Sequence, residues 1–273
     1  MIRPWNAHSG SIALDSTRME YVCFGTGKKN LIVIPGLSDG LATVGGMALA
    51  LVPPYIKYLK DWTVYMFSRK NEMPEGYSIR DMAADQARVL EKLGAERTSV
   101  LGVSQGGMIA QYLAVDYPDL VEKLVIAVSA PYANDLIKQN IGKWMEDVRR
   151  NDHKALMIDT AEVSYTEAYL KKYRLVYPLL GWVGKPKNYS RFIRNAEAIL
   201  SFDAREDLKN IRCPVYIIGG EQDRIVGVQA SYELHDCLPG STLFIHPDSG
   251  HGMNEEDKDF YRRIFCYLEE KQR

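Results

Sequence analysis

The feature that most constrains the fold of this chain is an alternation of short apolar runs with longer amphipathic stretches. Six runs rich in β-branched residues are the clearest predicted strands: 31–35, 63–67, 99–102, 123–128, 215–219 and 242–246. Nearly continuous hydrophobicity is typical of strands that are buried on both faces. The pattern therefore predicts an α/β fold, with a doubly wound, mostly parallel sheet covered by helices on both sides.

The segments around these runs complete the predicted sheet. Residues 11–14 and 20–24, separated by a polar turn, predict an antiparallel hairpin at the sheet edge. An apolar stripe over 79–93 predicts a helix that begins after Ser78 as N-cap and ends at Gly94. Similar patterns predict helices over 105–117 and 255–268.

The alternation of apolar runs and amphipathic stretches stops between residues 131 and 202. This segment has helical patterns dense in aromatic residues and no run typical of a buried strand. We interpret 131–202 as a helical cap inserted into a core formed by 1–130 and 203–273. Because large rings usually serve packing, we expect most of these aromatics to form the cap's own core. They are Trp144, Tyr165, Tyr169, Tyr173, Tyr177, Trp182, Tyr189 and Phe192.

The charge balance bears on the choice of partner. With 34 basic and 35 acidic residues, the chain has no general field that would attract nucleic acid or an anionic membrane. No apolar stretch approaches the roughly 20 residues that span a bilayer, and the first residues lack the apolar region of an export signal. We expect a cytoplasmic protein with a small-molecule substrate, no nucleic-acid partner and no membrane insertion. The oligomeric state is left open.

Metal and nucleotide sites are not indicated. The four cysteines contain no CxxC pair and the five histidines are dispersed, which favours free thiols over a metal site. The stretch FGTGKKN near residue 25 lacks the third glycine of a dinucleotide loop, and the spacing and hydroxyl residue of a phosphate loop. We therefore expect neither a metal nor a cofactor.

A G-x-S-x-G motif at residues 102–106 is the strongest functional signal, because it places Ser104 between a predicted strand and a predicted helix. That setting can hold a serine in a tight turn with its hydroxyl at the carboxyl edge of the sheet. Glycines at 102 and 106 suit a turn with little room for a β-carbon. A serine hydroxyl alone is a poor nucleophile, so the hypothesis requires a base and an acid to orient it.

Two residues that follow later strands are candidates for these roles. His251 lies in a glycine-flanked loop after the run TLFIH, and Asp223 lies just past the run VYIIG. Their order along the chain, serine then acid then histidine, is the order expected for this arrangement. Glu221 and Asp248 remain alternatives for the acid.

Taken together, VIPGLSDG, SIRDMAADQARVLEKLG, LGVSQGG, IIGGEQDRIV and SGHG resemble the α/β-hydrolase superfamily in its capped branch, over nearly the whole chain. The resemblance implies that Ser104 is the nucleophile, His251 the base and Asp223 the orienting acid. It also implies an oxyanion hole formed by the backbone N–H groups of Leu37 and Gln105.

One part of the oxyanion loop departs from the commonest pattern of that superfamily. Pro35 stands where many relatives have histidine. Ser38, in the same loop, either supplies a hydroxyl contact or caps the following helix.

The function implied is that of a serine hydrolase that cleaves a small or medium carboxylic ester through an acyl-enzyme intermediate. Relatives that act on haloalkanes or epoxides use aspartate at the elbow, so Ser104 argues against both activities. A thioester, a lactone or a carbon–carbon bond remains an alternative target. A ligand receptor that keeps the triad with little turnover also remains, and repeated product release would distinguish an enzyme from it.

Overall fold

One sheet of eight strands runs through the computed structural model, which describes residues 4–95 and 97–270 of the chain. The strands in chain order are β1 (His8–Leu14), β2 (Thr17–Gly25), β3 (Lys29–Ile34), β4 (Trp62–Lys70), β5 (Thr98–Val103), β6 (Val121–Ala127), β7 (Val215–Gly220) and β8 (Thr242–His246). Their order across the sheet is β1-β2-β4-β3-β5-β6-β7-β8.

The sheet is antiparallel only at its first edge, where β2 pairs with both β1 and β4. All other pairs are parallel. The predicted hairpin and the mostly parallel sheet are thus confirmed. Since β3, β5, β6 and β7 run in the same direction, the loops that follow them meet at one edge of the sheet.

The described residues form ten α-helices. They are α1 (Ala48–Leu51), α2 (Ile79–Lys92), α3 (Gln105–Asp116), α4 (Asp135–Arg149), α5 (His153–Ser164), α6 (Glu167–Tyr173), α7 (Ser190–Leu200), α8 (Val228–Cys237), α9 (Met253–Glu256) and α10 (Phe260–Glu269). Alternate residues of each central strand face opposite sides. In β3, Ile32 and Ile34 belong to the buried cluster that includes residues of α2, α3 and α8, while Leu31 and Val33 belong to the cluster that includes residues of α10.

Local signals in the sequence match the ends of α2. Ser78 accepts a hydrogen bond from the backbone N–H of Asp81, whose carboxylate accepts from Ser78 in return, which forms a capping box. Gly94 adopts a left-handed conformation (φ 63°) just after the helix, as a glycine can without strain. The predicted start and end of this helix are therefore confirmed.

Two predictions about the end of the chain are wrong. Strand β8 is only partly buried, because it lies at the edge of the sheet rather than inside it. The predicted helix over 255–268 is divided into α9 and α10. Asp257 breaks it by adopting an extended conformation (ψ 109°) and by accepting a hydrogen bond from the backbone N–H of Asp259 at 2.8 Å.

Four helices, α4 to α7, lie between β6 and β7 and fall within the predicted 131–202 segment. Tyr132 and Asp203 form an isolated β-bridge where this segment leaves and rejoins the rest of the chain. The division into a core and a cap stays a prediction.

The aromatic residues of this segment do not all pack as expected. Trp144, Tyr189 and Phe192 are buried, whereas Tyr173 and Trp182 are exposed, Trp182 by 85%. The expectation concerned most of these aromatics, and two fall outside it: Tyr173 at the end of α6 and Trp182 in the segment that joins α6 to α7. Among the described residues, no helix is both long and apolar enough to cross a bilayer.

Candidate active site

Ser104 occupies a strained turn between β5 and α3. Its φ of 55° and ψ of −121° lie in a region that side chains other than glycine rarely adopt. Two hydrogen bonds hold the turn: the Ser104 N–H donates to the Ala127 carbonyl at 2.9 Å, and Ser129 Oγ donates to the Ser104 carbonyl at 2.8 Å. Strain of this kind persists only where the surrounding structure fixes it, and it is common at functional sites.

The glycines of the motif let α3 approach the sheet closely. A β-carbon on Gly106 would overlap the carbonyl oxygen of Ile34, and one on Gly102 would overlap the carbonyl oxygen of Gly106. Any side chain at these positions would push α3 away from β3 and β5. The spacing of the motif therefore follows from steric contact around the serine turn.

The structure brings Ser104, His251 and Asp223 together in one row. Ser104 Oγ lies 2.9 Å from His251 Nε2, and His251 Nδ1 lies 2.8 Å from Asp223 Oδ2. Both distances are within hydrogen-bond range. With Nδ1–H donating to the carboxylate, Nε2 is unprotonated and accepts the hydrogen bond from the Ser104 hydroxyl. Of the three candidate acids, Asp223 is the one that the imidazole contacts.

Asp223 is nearly buried and holds its carboxylate through the backbone. Its Oδ1 accepts hydrogen bonds from the N–H groups of Ile225 at 2.8 Å and Val226 at 2.9 Å. Burial alone would raise the pKa of Asp223, but the neighbouring His251 and these hydrogen bonds outweigh it and hold the pKa below its ordinary value. The carboxylate is therefore ionised at neutral pH and can orient the imidazole.

Glu256 fixes the loop that carries His251. Its Oε2 accepts a hydrogen bond from the Gly250 N–H at 2.6 Å, and its Oε1 accepts from the N–H and hydroxyl of Thr166 at 2.7 and 2.9 Å. The Gly252 N–H donates to the Ser164 carbonyl at 2.8 Å. The loop is thus tied on both sides of His251 to the end of α5 and the start of α6.

The two predicted oxyanion donors both begin a helix. Leu37 is the first residue of a 3₁₀-helix (Leu37–Gly40), and Gln105 is the first residue of α3. The N–H group at such a position has no acceptor within its own helix. Gly36 places the Leu37 loop against the serine, since a β-carbon there would lie 3.3 Å from Ser104 Cβ.

Ser38 does not cap the helix that follows Pro35. The N-cap position belongs to Gly36, and Ser38 lies inside the 3₁₀-helix and lines the cavity. Of the two roles expected for Ser38, capping is wrong, and a contact to a bound molecule is the one that its position permits.

A buried charge cluster behind this loop was not found from the sequence. The Asp39 carboxylate accepts from the Arg69 N–H and from Arg191 Nη2, both at 2.9 Å, and Arg69 Nη1 lies 3.7 Å from it. The Asp39 and Arg69 side chains are each 1% exposed. Burial lowers the pKa of Arg69 to about 10, with Asp39 opposing the shift, so the guanidinium remains charged at neutral pH.

This cluster reaches the serine turn through the side chain of Gln105. Arg69 Nη2 donates to Gln105 Oε1 at 2.8 Å, and Gln105 Nε2 donates to the Asn195 carbonyl in α7 at 3.0 Å. The signal in the sequence was that Asp39 and Arg69 both follow predicted strands. Charged residues at the carboxyl edge of a sheet are placed where the loops meet.

A cavity of about 510 Å³ lies over the Ser104–His251 pair. The residues that line it from the segment between β6 and β7 are mostly apolar and include Ile137, Ile141, Trp144, Met157, Phe192 and Ile199. Among the described residues, the cavity lining contains no lysine or arginine, and Glu255 is its acidic member. The cavity is therefore suited to an uncharged, apolar group.

Comparison with known proteins agrees with this architecture. A family model described as the alpha/beta hydrolase fold matches residues 58–258. The chain belongs to this family. Two similar proteins bear the name "Putative carbamate hydrolase RutD". The protein of Caulobacter sp. (strain K31) is 27% identical over 80% of this chain and 83% of its own length. The protein of Stutzerimonas stutzeri (strain A1501) is 25% identical over 84% and 88%.

Solved structures of this α/β hydrolase fold superpose along almost the whole chain. MGS-M2, an alpha/beta hydrolase enzyme from a deep-sea metagenome library of the Medee basin, has a TM-score of 0.82 at 21% identity and covers 97% of this chain and 98% of its own. The enol-lactonase from Burkholderia xenovorans LB400 has a TM-score of 0.79 at 21% identity and covers 96% and 100%. At this identity the likeness concerns the fold alone.

Proposed function

We propose that this chain is a serine hydrolase that cleaves small or medium carboxylic esters with an uncharged, apolar acyl group. The observation that carries the proposal is the row of hydrogen bonds from Ser104 Oγ through His251 to Asp223, with distances of 2.9 and 2.8 Å. Hydroxyl, imidazole and carboxylate in this order are the groups that acyl transfer requires.

In the first half of the reaction, Ser104 Oγ attacks the ester carbonyl while His251 Nε2 takes the serine proton. Asp223 holds the imidazole tautomer and stabilises the imidazolium. The N–H groups of Leu37 and Gln105 donate to the oxyanion, and a donor of this kind is worth about 3 kcal/mol in the barrier. The tetrahedral intermediate collapses as the C–O bond to the alcohol breaks, and His251 gives its proton to the leaving alkoxide.

In the second half, water replaces the alcohol. His251 takes a proton from water, the resulting nucleophile attacks the acyl-serine carbonyl, and the serine leaves with the proton returned from His251. The carboxylic acid is released and Ser104 regains its hydroxyl. Each half uses the same oxyanion donors, so one geometry serves both steps.

The cavity supports an apolar acyl group over an anionic one. Trp144, Phe192 and Ile199 offer apolar contact, and the described lining has no basic side chain to pair with a carboxylate. The carboxylate of Glu255 would repel a negative charge. A medium acyl chain fits a volume of about 510 Å³.

A carbamate is the second candidate substrate, because the RutD proteins align with most of this chain and carry that name. A neutral carbamate ester presents a carbonyl that the same serine can attack. A free carbamate is a small anion and lacks a basic partner in the described lining. The cavity therefore favours esters, and among carbamates it favours the esterified ones.

The test is turnover of p-nitrophenyl esters of increasing acyl length, beside a neutral carbamate ester, a thioester and a lactone. Ser104→Ala should remove turnover and labelling by a fluorophosphonate while leaving the circular dichroism spectrum unchanged, and His251→Ala should do nearly the same. Retained turnover in either variant contradicts the mechanism. A single binding event without product release would favour a receptor.

Two matched substitutions test the assignment of Asp223 as the acid. Asp223→Asn should reduce kcat by about ten-thousandfold, because the imidazole tautomer is lost. Glu221→Gln, two residues earlier, should leave kcat near wild type, since the imidazole contacts Asp223. A larger loss in Glu221→Gln would mean that the wrong acid has been chosen.

A further inference from the structure

One stretch of the chain is strongly basic, although the chain as a whole is nearly neutral. Residues 168–196 contain seven lysines and arginines and no acidic residue, although the net charge of the chain is −1. Four of these are Lys171, Lys172, Lys185 and Lys187, all exposed. Within the described residues none of the four forms a salt bridge. Their positive charges are therefore available to a partner.

Between these lysines the chain exposes large apolar side chains. Leu175 is 86% exposed, Leu179 61%, Trp182 85% and Val183 56%. A run of apolar residues turned outward in this way is unusual on a protein surface and marks an interaction site. We refer to residues 171–187, with their lysines and outward apolar residues, as the basic–apolar segment.

The basic–apolar segment is held to α5 by polar contacts, which leaves its apolar side chains outside. Arg174 pairs with Glu162 at 2.8 Å and also contacts Glu167, so its positive charge is compensated by these carboxylates and does not add to that of the four lysines. His153 Nε2 lies 2.8 Å from the Val183 carbonyl oxygen. The Val183 carbonyl and the Arg174 side chain therefore contact α5, while Leu179 and Trp182 project outward.

We propose that the basic–apolar segment docks on the surface of an anionic lipid bilayer. Tryptophan and leucine side chains are suited to the boundary between headgroups and acyl chains, and lysines flanking them pair with lipid phosphates. The four unpaired lysines of the described segment are attracted to the negative charge of an anionic bilayer. A neutral bilayer offers no such attraction. Docking of this kind is peripheral and requires no membrane-spanning helix.

The same charges argue against a second copy of the chain as the occupant. A symmetric contact through the basic–apolar segment would place four lysines against the same four lysines. An acidic protein would pair with the lysines, but its charge would not explain why Leu179 and Trp182 are exposed beside them. The bilayer satisfies both the charge and the apolar surface.

Three stacked tyrosines connect the basic–apolar segment to the cavity. Tyr165 lines the cavity and stacks on Tyr169 with ring centroids 4.7 Å apart, and Tyr169 stacks on the exposed Tyr173 at 4.4 Å. Tyr169 Oη also donates to Glu255 at 3.2 Å. A docked bilayer would therefore lie next to a row of stacked rings that ends at the cavity wall.

The experiment is vesicle co-sedimentation with the Ser104→Ala protein, so that its outcome is independent of the proposed function. Vesicles of phosphatidylcholine alone are compared with vesicles that also contain phosphatidylglycerol. Binding is expected only to the anionic vesicles and should weaken as salt is raised. The basic patch is removed in one quadruple variant: Lys171→Gln, Lys172→Gln, Lys185→Gln and Lys187→Gln.

Each lysine near an anionic leaflet contributes about fivefold to partitioning, so the quadruple variant should bind about 600-fold more weakly. A matched control removes four other exposed lysines with the same change in net charge: Lys28→Gln, Lys57→Gln, Lys60→Gln and Lys258→Gln. The control should bind like the parent. An equal loss in both variants would overturn the proposal, as would absence of binding to anionic vesicles.

A spectroscopic readout separates docking from charge attraction alone. Trp182 fluorescence should shift to the blue on vesicle binding, and the shift should vanish in Trp182→Phe. Binding of polyglutamate as tight as binding of anionic vesicles, with no blue shift, would assign the segment to acidic proteins and overturn the proposal. Sedimentation equilibrium that shows a dimer abolished by Trp182→Ser would also overturn it, in favour of a second copy.

Discussion

Replacement of Asp39 by asparagine tests the buried charge cluster that links the Leu37 loop to α7. The substitution keeps the size of the side chain and removes its negative charge. Arg69 and Arg191 then lose the carboxylate that compensates them, and Arg69 is almost completely buried. Loss of one partner from a buried ion pair typically costs about 3–5 kcal/mol, because the remaining charge is left without water or a counter-ion.

That cost is large compared with the free energy of unfolding of an ordinary domain, which is about 5–15 kcal/mol. In a chain of this size it should lower the melting temperature by about 10 °C. We also expect a lower rate in the proposed ester hydrolysis, since the Asp39 backbone belongs to the 3₁₀-helix that begins at Leu37. The unfolding free energy is measured by urea denaturation, with the m-value checked for constancy.

Asp15→Asn is the matched control. Asp15 also contacts two basic residues, Arg88 at 2.7 Å and Lys70 at 3.9 Å, but its side chain is 54% exposed. Exposed ion pairs are screened by water and add little to stability, so Asp15→Asn should leave the midpoint nearly unchanged. Equal destabilisation by the two substitutions would refute the reasoning, because burial and not the number of contacts is claimed to set the cost.

Three further predictions follow from the same structure. Gly106→Ala should destabilise the fold by about 3 kcal/mol or more, since its methyl group would overlap the Ile34 carbonyl, whereas Gly142→Ala, in open space on α4, should stabilise it by about 1 kcal/mol; urea denaturation checks both. Trp144→Ala should shift relative kcat/KM towards longer acyl chains by enlarging the cavity, and an unchanged chain-length profile would contradict its place in the lining. Because the pKa of Asp223 is lowered in the folded state, its stabilisation is present above the ordinary value of 3.8 and is lost as pH falls below it. The difference in unfolding free energy between wild type and Asp223→Asn should therefore shrink as pH is lowered through that range, and a difference that grows would contradict the direction of the shift.

The elements that local sequence patterns specify could be predicted from the sequence. The central strands are buried on both faces and read as continuous apolar runs, and α2 is marked by a capping box at one end and by Gly94 at the other. Ser104, Asp223 and His251 could be singled out because each follows a strand, and parallel strands bring such loops to one edge. Their catalytic roles stay predictions.

Features that depend on long-range packing were missed. The contact of Asp39 with Arg191 joins residues 152 positions apart and depends on where α7 settles on the sheet, for which the sequence carries no periodic signal. The break before α10 was missed for a local reason. Asp257 turns its carboxylate to a nearby N–H group, and that bond competes with continuation of the helix.

The link between Arg191 and Asp39 also restricts how the cavity can be reached. To swing α7 outward would break the hydrogen bonds that Arg191 donates to the buried Asp39 carboxylate and to the Arg69 carbonyl, so we expect this side of the helical insertion to stay in place. Around Tyr165 the cavity wall is tied by other contacts: the Tyr169 hydroxyl donates to Glu255, and the Thr166 N–H and hydroxyl donate to Glu256. None of these three described contacts is a buried ion pair, so we expect substrate and product to pass on the Tyr165 and Tyr169 side rather than past α7.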